Sequence, residues 1–357
     1  PLYEKGDTKE RMVQKVQNCI QGDTKILISL GGYGGYLIFG FDHLVQNVEG
    51  KNDFKIWGNA FYAGTNPNSG ASKEGGSCEP GIVWVAYDAN GDGLPNDTWY
   101  ELAGSEYYKS ETLKSYQITY YKPDENKIRI PNPLYPFLND TTYIRWTSNQ
   151  ATQGYIYRNT FHEQSYYPNW IEEDSLSFCG TKLADNQIDE SGNGSYFVQY
   201  AYPWGYADNH PNTDVRAGLD IGWAVDSNGN PFKLEGIHFV KVYTGVNQYC
   251  GWLGETSTEI MGAEDLHLSN IVQDSVLSIV NLNSRTKPQI YPNPFYSILN
   301  IVSPQEQSVQ IYNSSGKLMR KTQLNVGKNT WDLSFLPCGI YILKTEQEYI
   351  KIIKVNN

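Results

Sequence analysis

The stretch Gly81-Ile-Val-Trp-Val-Ala-Tyr-Asp-Ala-Asn-Gly-Asp-Gly-Leu-Pro-Asn-Asp-Thr-Trp-Tyr-Glu-Leu102 reads as strand, turn, strand. Its two ends are rich in β-branched and aromatic residues, which suit a pleated, half-buried surface. The Asn, Asp, Gly and Pro between them terminate strands. Two strands joined by so short a connection must pair antiparallel. Within the turn, side-chain oxygens recur at Asp88, Asn90 and Asp92, Gly93 permits a sharp bend, and Asn96 and Asp97 bring the chain back. A hard cation with a flexible shell, Ca²⁺, takes about six to eight such oxygens. The expected ligands are Asp88, Asn90, Asp92, Leu94 through its carbonyl, Asp97 and Glu101, with Glu79 on the other flank as a further acid in reach. The twelfth position is Trp99 rather than a bidentate Glu, so the pattern is a calcium-binding hairpin loop and not a helix–loop–helix. The same residues also suit a metal-free Asx- and Gly-rich turn.

Working outward, the strand pattern holds for nearly the whole chain. Strands are expected at Ile26–Leu30, Tyr36–Phe41, Phe54–Trp57, Tyr116–Tyr121, Tyr143–Trp146, Ser195–Tyr202, Leu219–Val225 and Ile237–Thr244, separated by Gly, Asn and Pro clusters. Helical spacing occurs at Met12, Val13, Val16, Cys19 and Ile20 behind Asp7-Thr-Lys-Glu10, which predicts one capped helix over 8–20. Gly31-Gly-Tyr-Gly-Gly35 lacks the third glycine and the following helix of a phosphate loop, so it marks close backbone approach. The expected body is an all-β antiparallel sandwich or jelly roll with one N-terminal helix.

The balance of charge excludes some functions. The net charge is −11, yet residues 285–357 carry nine Lys/Arg against four Asp/Glu, which leaves −16 for residues 1–284. An acidic body argues against nucleic acid and for cations or neutral polar ligands. No apolar run approaches the ~18 residues of a membrane span. The five cysteines show no metal or CxxC spacing. The chain starts at Pro1 without a signal-peptide pattern, which suggests processing or truncation. Residues 271–288 form a polar bridge, so the expected division is a body over 1–270, a linker over 271–288 and a small all-β domain over 289–357.

That last unit carries Tyr291-Pro-Asn-Pro-Phe295, Val309-Gln-Ile-Tyr-Asn313, Gly327-Lys-Asn-Thr-Trp-Asp-Leu333, Gly339-Ile-Tyr-Ile-Leu343 and Lys351-Ile-Ile-Lys-Val355. In order and spacing it resembles the type A C-terminal sorting domain of the type IX secretion system of Bacteroidetes. The resemblance implies an immunoglobulin-like β-sandwich, recognition by that machinery during export, cleavage within 270–290, and attachment of the secreted chain at the outer-membrane surface. Residues 3–268, through Phe39-Gly-Phe-Asp-His43, Gly58-Asn-Ala-Phe61, Glu79-Pro-Gly81, Gly205-Tyr-Ala-Asp-Asn-His210 and Gly254-Glu-Thr-Ser-Thr-Glu259, resemble a Bacteroidetes "cell surface protein" family of undefined activity. Association of that family with cobamide uptake makes a cobamide one implied ligand.

The residues themselves suggest another. Trp204, Tyr206, Asp208, Asn209 and His210 follow an aromatic run and offer a stacking surface beside hydrogen-bonding groups, as a glycan requires. Alternation along Tyr196–Trp204 is also what a sheet core would show. Asp42-His43 at a strand end suits a ligand contact or a backbone-bonded pair, and Asp226-Ser-Asn-Gly-Asn230 suits a hairpin turn or a second ion. Glu255 and Glu259 fall on one face of a strand and are the candidate catalytic pair for glycoside hydrolysis. No hydrolase motif accompanies them, so binding without turnover is the leading expectation.

Overall fold

A computed structural model describes residues 2–22, 24–64, 74–251, 254–267, 288–303, 305–313, 317–345 and 349–355. The chain forms two compact units, Pro1–Val272 and Gln273–Asn357. Residues 271–287 of the expected linker lie outside the described residues.

The body is a β-sandwich built on a five-stranded antiparallel sheet in the order Ala224–Val225, Trp99–Leu102, Gly81–Ala86, Gly236–Thr244, Tyr36–Gln46. Side chains of successive residues leave a strand on opposite faces. Val83, Val85, Val240 and Val242 accordingly pack with Phe54, Ile56, Leu219 and Ile260 on one side. Ile82, Trp84 and Tyr243 pack with Tyr116, Ile118 and Phe178 on the other. Both faces are covered, and this is why Gly81–Ala86 is apolar almost without interruption rather than alternating. The first cover is a three-stranded sheet, Gly218–Leu219, Phe54–Trp57, Gly262–Asp265. The second is four-stranded, Gln153–Asn159, Leu138–Ser148, Leu113–Tyr121, Ser175–Lys182.

Several elements differ from their sequence reading for local reasons. The helix spans Lys9–Ile20, but its N-cap is Thr8, whose Oγ1 accepts from Arg11 N at 3.3 Å. Asp7 is drawn off to Lys15, 2.6 Å away. The expected strand over Leu219–Val225 is broken by a 3₁₀ turn at Ile221–Trp223, because the Asp220 carboxylate takes the Gly222 N–H. Asp42-His43 lies inside a strand running to Gln46, at a register shift opposite Ile237/Phe239. There His43 contacts both Asp42 and Asp265. In the glycine cluster, a Cβ on Gly34 would stand 2.5 Å from the Phe178 ring, so the packing of the second cover requires glycine.

The second unit is a small β-sandwich of a three-stranded and a four-stranded sheet around Phe295, Leu299, Ile301, Val309, Ile311, Trp331 and Leu343. Asn293 of the Tyr-Pro-Asn-Pro-Phe segment staples the last strand, accepting from Ile353 N at 2.8 Å and donating to Lys351 O at 2.9 Å.

Candidate functional site: a buried carboxylate cluster

Three acids far apart in sequence meet at one end of the central sheet. Glu79 precedes the Gly81–Ala86 strand, Asp208 sits in the loop beyond Phe197–Tyr200, and Glu259 opens the short strand Glu259–Ile260. Among the described residues, these three form an acidic group whose ligand atoms all lie within 4.8 Å of one another. All three are buried.

Backbone bonds fix the arrangement. Asp208 Oδ1 accepts from Asn59 N and Ala60 N, both at 2.8 Å, and Oδ2 accepts from Glu259 N at 2.9 Å. Asp208 O accepts from Glu79 N, and the Ala207–Gly81 bridge continues that contact. Asp208 has φ +52°, a left-handed conformation that Asp tolerates better than most residues. Gly58 is required opposite, since its Cβ would lie 2.3 Å from Asp208 Oδ1.

Among the described residues no Lys or Arg forms an ion pair with these acids. Burial therefore raises the pKa of all three. Glu79 is pushed well up by burial first and then by the charges of Glu259 and Asp208. Asp208 is pushed well up by burial, against the pull of its backbone donors. Glu259 is raised by burial, with hydrogen bonds from Glu79, Ser29, Asn59 and Ser257 opposing. Close carboxylates of one sign cannot all ionise without a shared proton or a cation.

Polar side chains surround the cluster. Ser77 Oγ donates to Glu79 Oε2 at 3.2 Å, and Gln199 Nε2 donates to Thr256 Oγ1 at 2.8 Å and lies 3.4 Å from Glu79 Oε1. Glu255 stands close enough to feel the charge of Glu259, and burial pushes it up to about 7. Its Oε2 is buried with no hydrogen-bond partner among the described residues.

The expected sites fare differently. In the 88–97 loop, Asp88 accepts from Gly91 N and Gly93 N, Asp92 from Leu94 N and the amides of Asn90 and Asn96, and Asp97 from Ala89 N. The Leu94 carbonyl accepts from Asn96 N. Glu101 is not among these partners. It is buried, accepts from Thr181 Oγ1 at 2.7 Å, and is pushed up to about 7 by burial against the pull of Lys114. Asp226 caps its own turn by accepting from Asn228 N and Asn230 N.

Of the 204–210 residues, Trp204 reaches the surface at 37 % exposure, its ring 4.6 Å from that of Trp223. Tyr206, Asn209 and His210 are buried and engaged internally. The Tyr206 hydroxyl accepts from Glu106 N, and the Asn209 amide bonds both backbone groups of Tyr202. His210 Nε2 faces the Pro203 carbonyl at 3.1 Å, so Nε2 carries the proton and Nδ1 accepts from Tyr62 Oη at 2.7 Å. The sequence held Glu79, Asp208 and Glu259 in three separate candidate sites. Their common location had no local signal, and Gln199 had none at all.

Comparison with known proteins bears on the second unit. Residues 289–355 match the family described as the secretion system C-terminal sorting domain. The chain thus carries a type IX sorting tail, which marks it for secretion and for the cell surface. No curated protein matches the chain. No helix among the described residues is long and apolar enough to cross a membrane.

A carboxyl whose folded pKa exceeds its unfolded value of ~4.3 stabilises the fold while protonated. That contribution is complete below the unfolded pKa and is lost as pH rises through the folded one. Melting temperature should therefore fall between pH 5 and pH 8, with Glu101 and Glu255 both contributing in that direction. In Glu255→Gln the fall should be shallower. An unchanged slope would assign the titration elsewhere.

Proposed function

We propose that the exported chain is a surface-displayed binding protein and that its ligand is a glycan. The observation that carries this reading is the Trp204–Trp223 pair, two indoles 4.6 Å apart and tilted by 50°, with Trp204 open to solvent. Aromatic faces of this kind stack on the C–H face of a sugar ring. Beneath them, Tyr206, Asn209 and His210 hold the loop by internal bonds, so their role is to position the platform. Ca²⁺ at Asp88, Asn90, Asp92, Leu94 and Asp97 is a structural ion in this reading, stiffening the hairpin between Gly81–Ala86 and Trp99–Leu102. The positive-φ glycines Gly91 and Gly93 allow the loop to curl around it.

A second reading, glycoside hydrolysis, is favoured by Glu255. A buried carboxyl titrating near 7 with one unpartnered oxygen is suited to general acid catalysis, and Glu259 is the neighbouring carboxylate.

A glycan array probed with the full chain, with calcium and again with chelator, checks the first reading. Trp204→Ala should weaken the hits about tenfold, a loss of about 1.4 kcal/mol, as expected for one stacked ring. A blank array would remove the glycan and make co-elution with a cobamide the next measurement. Release of reducing ends from any bound polysaccharide, abolished in Glu255→Gln, would convert the binding protein into an enzyme. No release by the unaltered chain would end that reading. For the loop, chelator should lower the melting temperature of the body and Asp88→Ala should remove part of that response. An identical response in the variant would leave the loop a metal-free turn.

A further inference from the structure

We propose that Lys114 is an amine site that captures aldehydes covalently as an imine, with Glu101 as the carboxyl that governs its proton, where the second cover meets the central sheet.

The site draws on separate parts of the body. Lys114 stands on Leu113–Tyr121 of the second cover, Glu101 on Trp99–Leu102 of the central sheet and Thr181 on Ser175–Lys182. Tyr107 lies in the connection between Trp99–Leu102 and Leu113–Tyr121. The Lys114 amine lies over the Tyr107 ring, 2.7 Å from its centroid. Among the described residues that amine has no ion pair and no hydrogen bond. Lys15, Lys55, Lys109, Lys127 and Lys182, by contrast, each lie within 3.4 Å of a carboxylate. Glu101 is buried, and Thr181 Oγ1 donates to its Oε2 at 2.7 Å, which fixes the carboxyl in place. Lys114 itself is exposed, so a solute can reach it from water.

The surroundings decide the chemistry. A ring face attracts a cation but replaces only part of the water it displaces. Withdrawal from water pushes the Lys114 amine down to about 8, and the charge of Glu101 opposes that fall. Glu101 is pushed up to about 7 by its own burial, against Lys114 and Thr181. The Tyr107 hydroxyl is pushed up to about 12, by burial first and then by Glu101, Tyr108 and Asp226, so it stays neutral. Lys114 therefore holds much of its free-amine form near neutral pH, and a desolvated lysine amine is the nucleophile that attacks carbonyl carbon. Its Nζ lone pair adds to the aldehyde carbon. The carbinolamine then loses its oxygen as water, together with both amine protons, and a C=N bond remains. No oxidant or reductant enters. Glu101, whose charge reaches the amine and which is part protonated near pH 7, is the proton source for the departing oxygen. Lys241 is the contrasting case. Burial lowers it too, but its amine lies among Tyr36, Phe178 and Tyr243, 4.8, 5.5 and 6.0 Å from their centroids, and no carboxylate acts on it.

The test is labelling of the full chain with dilute glycolaldehyde and cyanoborohydride, which reduces the imine to a stable secondary amine. Peptide mass mapping then reads the label residue by residue, from about pH 6 to about pH 10. At about pH 7.5, Lys114 should be labelled about tenfold faster than the exposed Lys5 and Lys9. Lys114→Arg should lose this early label and leave the rates at Lys5 and Lys9 unchanged. Glu101→Gln keeps an acceptor for Thr181 but removes the charge that holds the Lys114 proton. The pH midpoint of Lys114 labelling should therefore move down in that variant, whereas a merely structural Glu101 would leave it in place. Equal rates at Lys114, Lys5 and Lys9, a label concentrated on Lys241, or a midpoint unmoved by Glu101→Gln would overturn the site. None of these results depends on a glycan being bound.

Discussion

A single buried carboxylate holds the point at which three segments of the body meet. Asp208 ties the Asn59–Ala60 turn, the lead into the central strand and the start of Glu259–Ile260 to a single point with three side-chain acceptor bonds and one backbone bond. A buried carboxylate accepting several N–H groups is a strong tether, because each bond is charge-assisted. It is also costly, because the charge is removed from water. Gly58 without a side chain and a left-handed backbone at Asp208 itself are the local accommodations that make the tether possible. Two further acids at the same point deepen the electrostatic cost.

Covering the central sheet on both faces gives this cost its setting. A two-layer sandwich would leave one face of Gly81–Ala86 in water and its charged ends solvated. Here the valines of one face and the Ile82, Trp84 and Tyr243 set of the other are each packed under a separate sheet. The strand ends are closed in by loops whose polar groups must find partners within the protein. Most do so: Asn209 bonds Tyr202, His210 bonds Tyr62 and Pro203, and Asn186 bonds Cys78 and Tyr200. Exceptions among the described residues include Gln199 Oε1 and Glu255 Oε2, on residues bordering the carboxylate cluster, and Trp84 Nε1, Asn139 Oδ1 and Arg158 Nε elsewhere in the body.

The sorting tail is a separate case. Its strands alternate cleanly, its core is the set of inward positions, and its recognisable segments are structural. Phe295 is fully buried, and Asn293 fixes the last strand. Export and surface location therefore follow from a unit of about 70 residues whose pattern is local in sequence. The activity of the body does not.

What the sequence by itself determined was whatever short-range pattern encodes. Strand positions such as Phe54–Trp57 and Tyr116–Tyr121, the N-terminal helix, the turn at 88–97 and the sorting domain were all legible, because period-two burial and Asx–Gly turn chemistry act between near neighbours. The break at Ile221–Trp223 was missed, because apolar residues either side read as one strand while Asp220 redirects the backbone. The strands Gln153–Asn159 and Ser175–Lys182 were missed because polar residues dominate them. Only the tertiary structure decided that Glu79, Asp208 and Glu259 are one site and that Glu101 belongs to Thr181 and Lys114 rather than to the loop beside it. Proximity across about 130 or 50 residues of chain is set by which sheet faces pack together, and no spacing rule along the sequence carries that information.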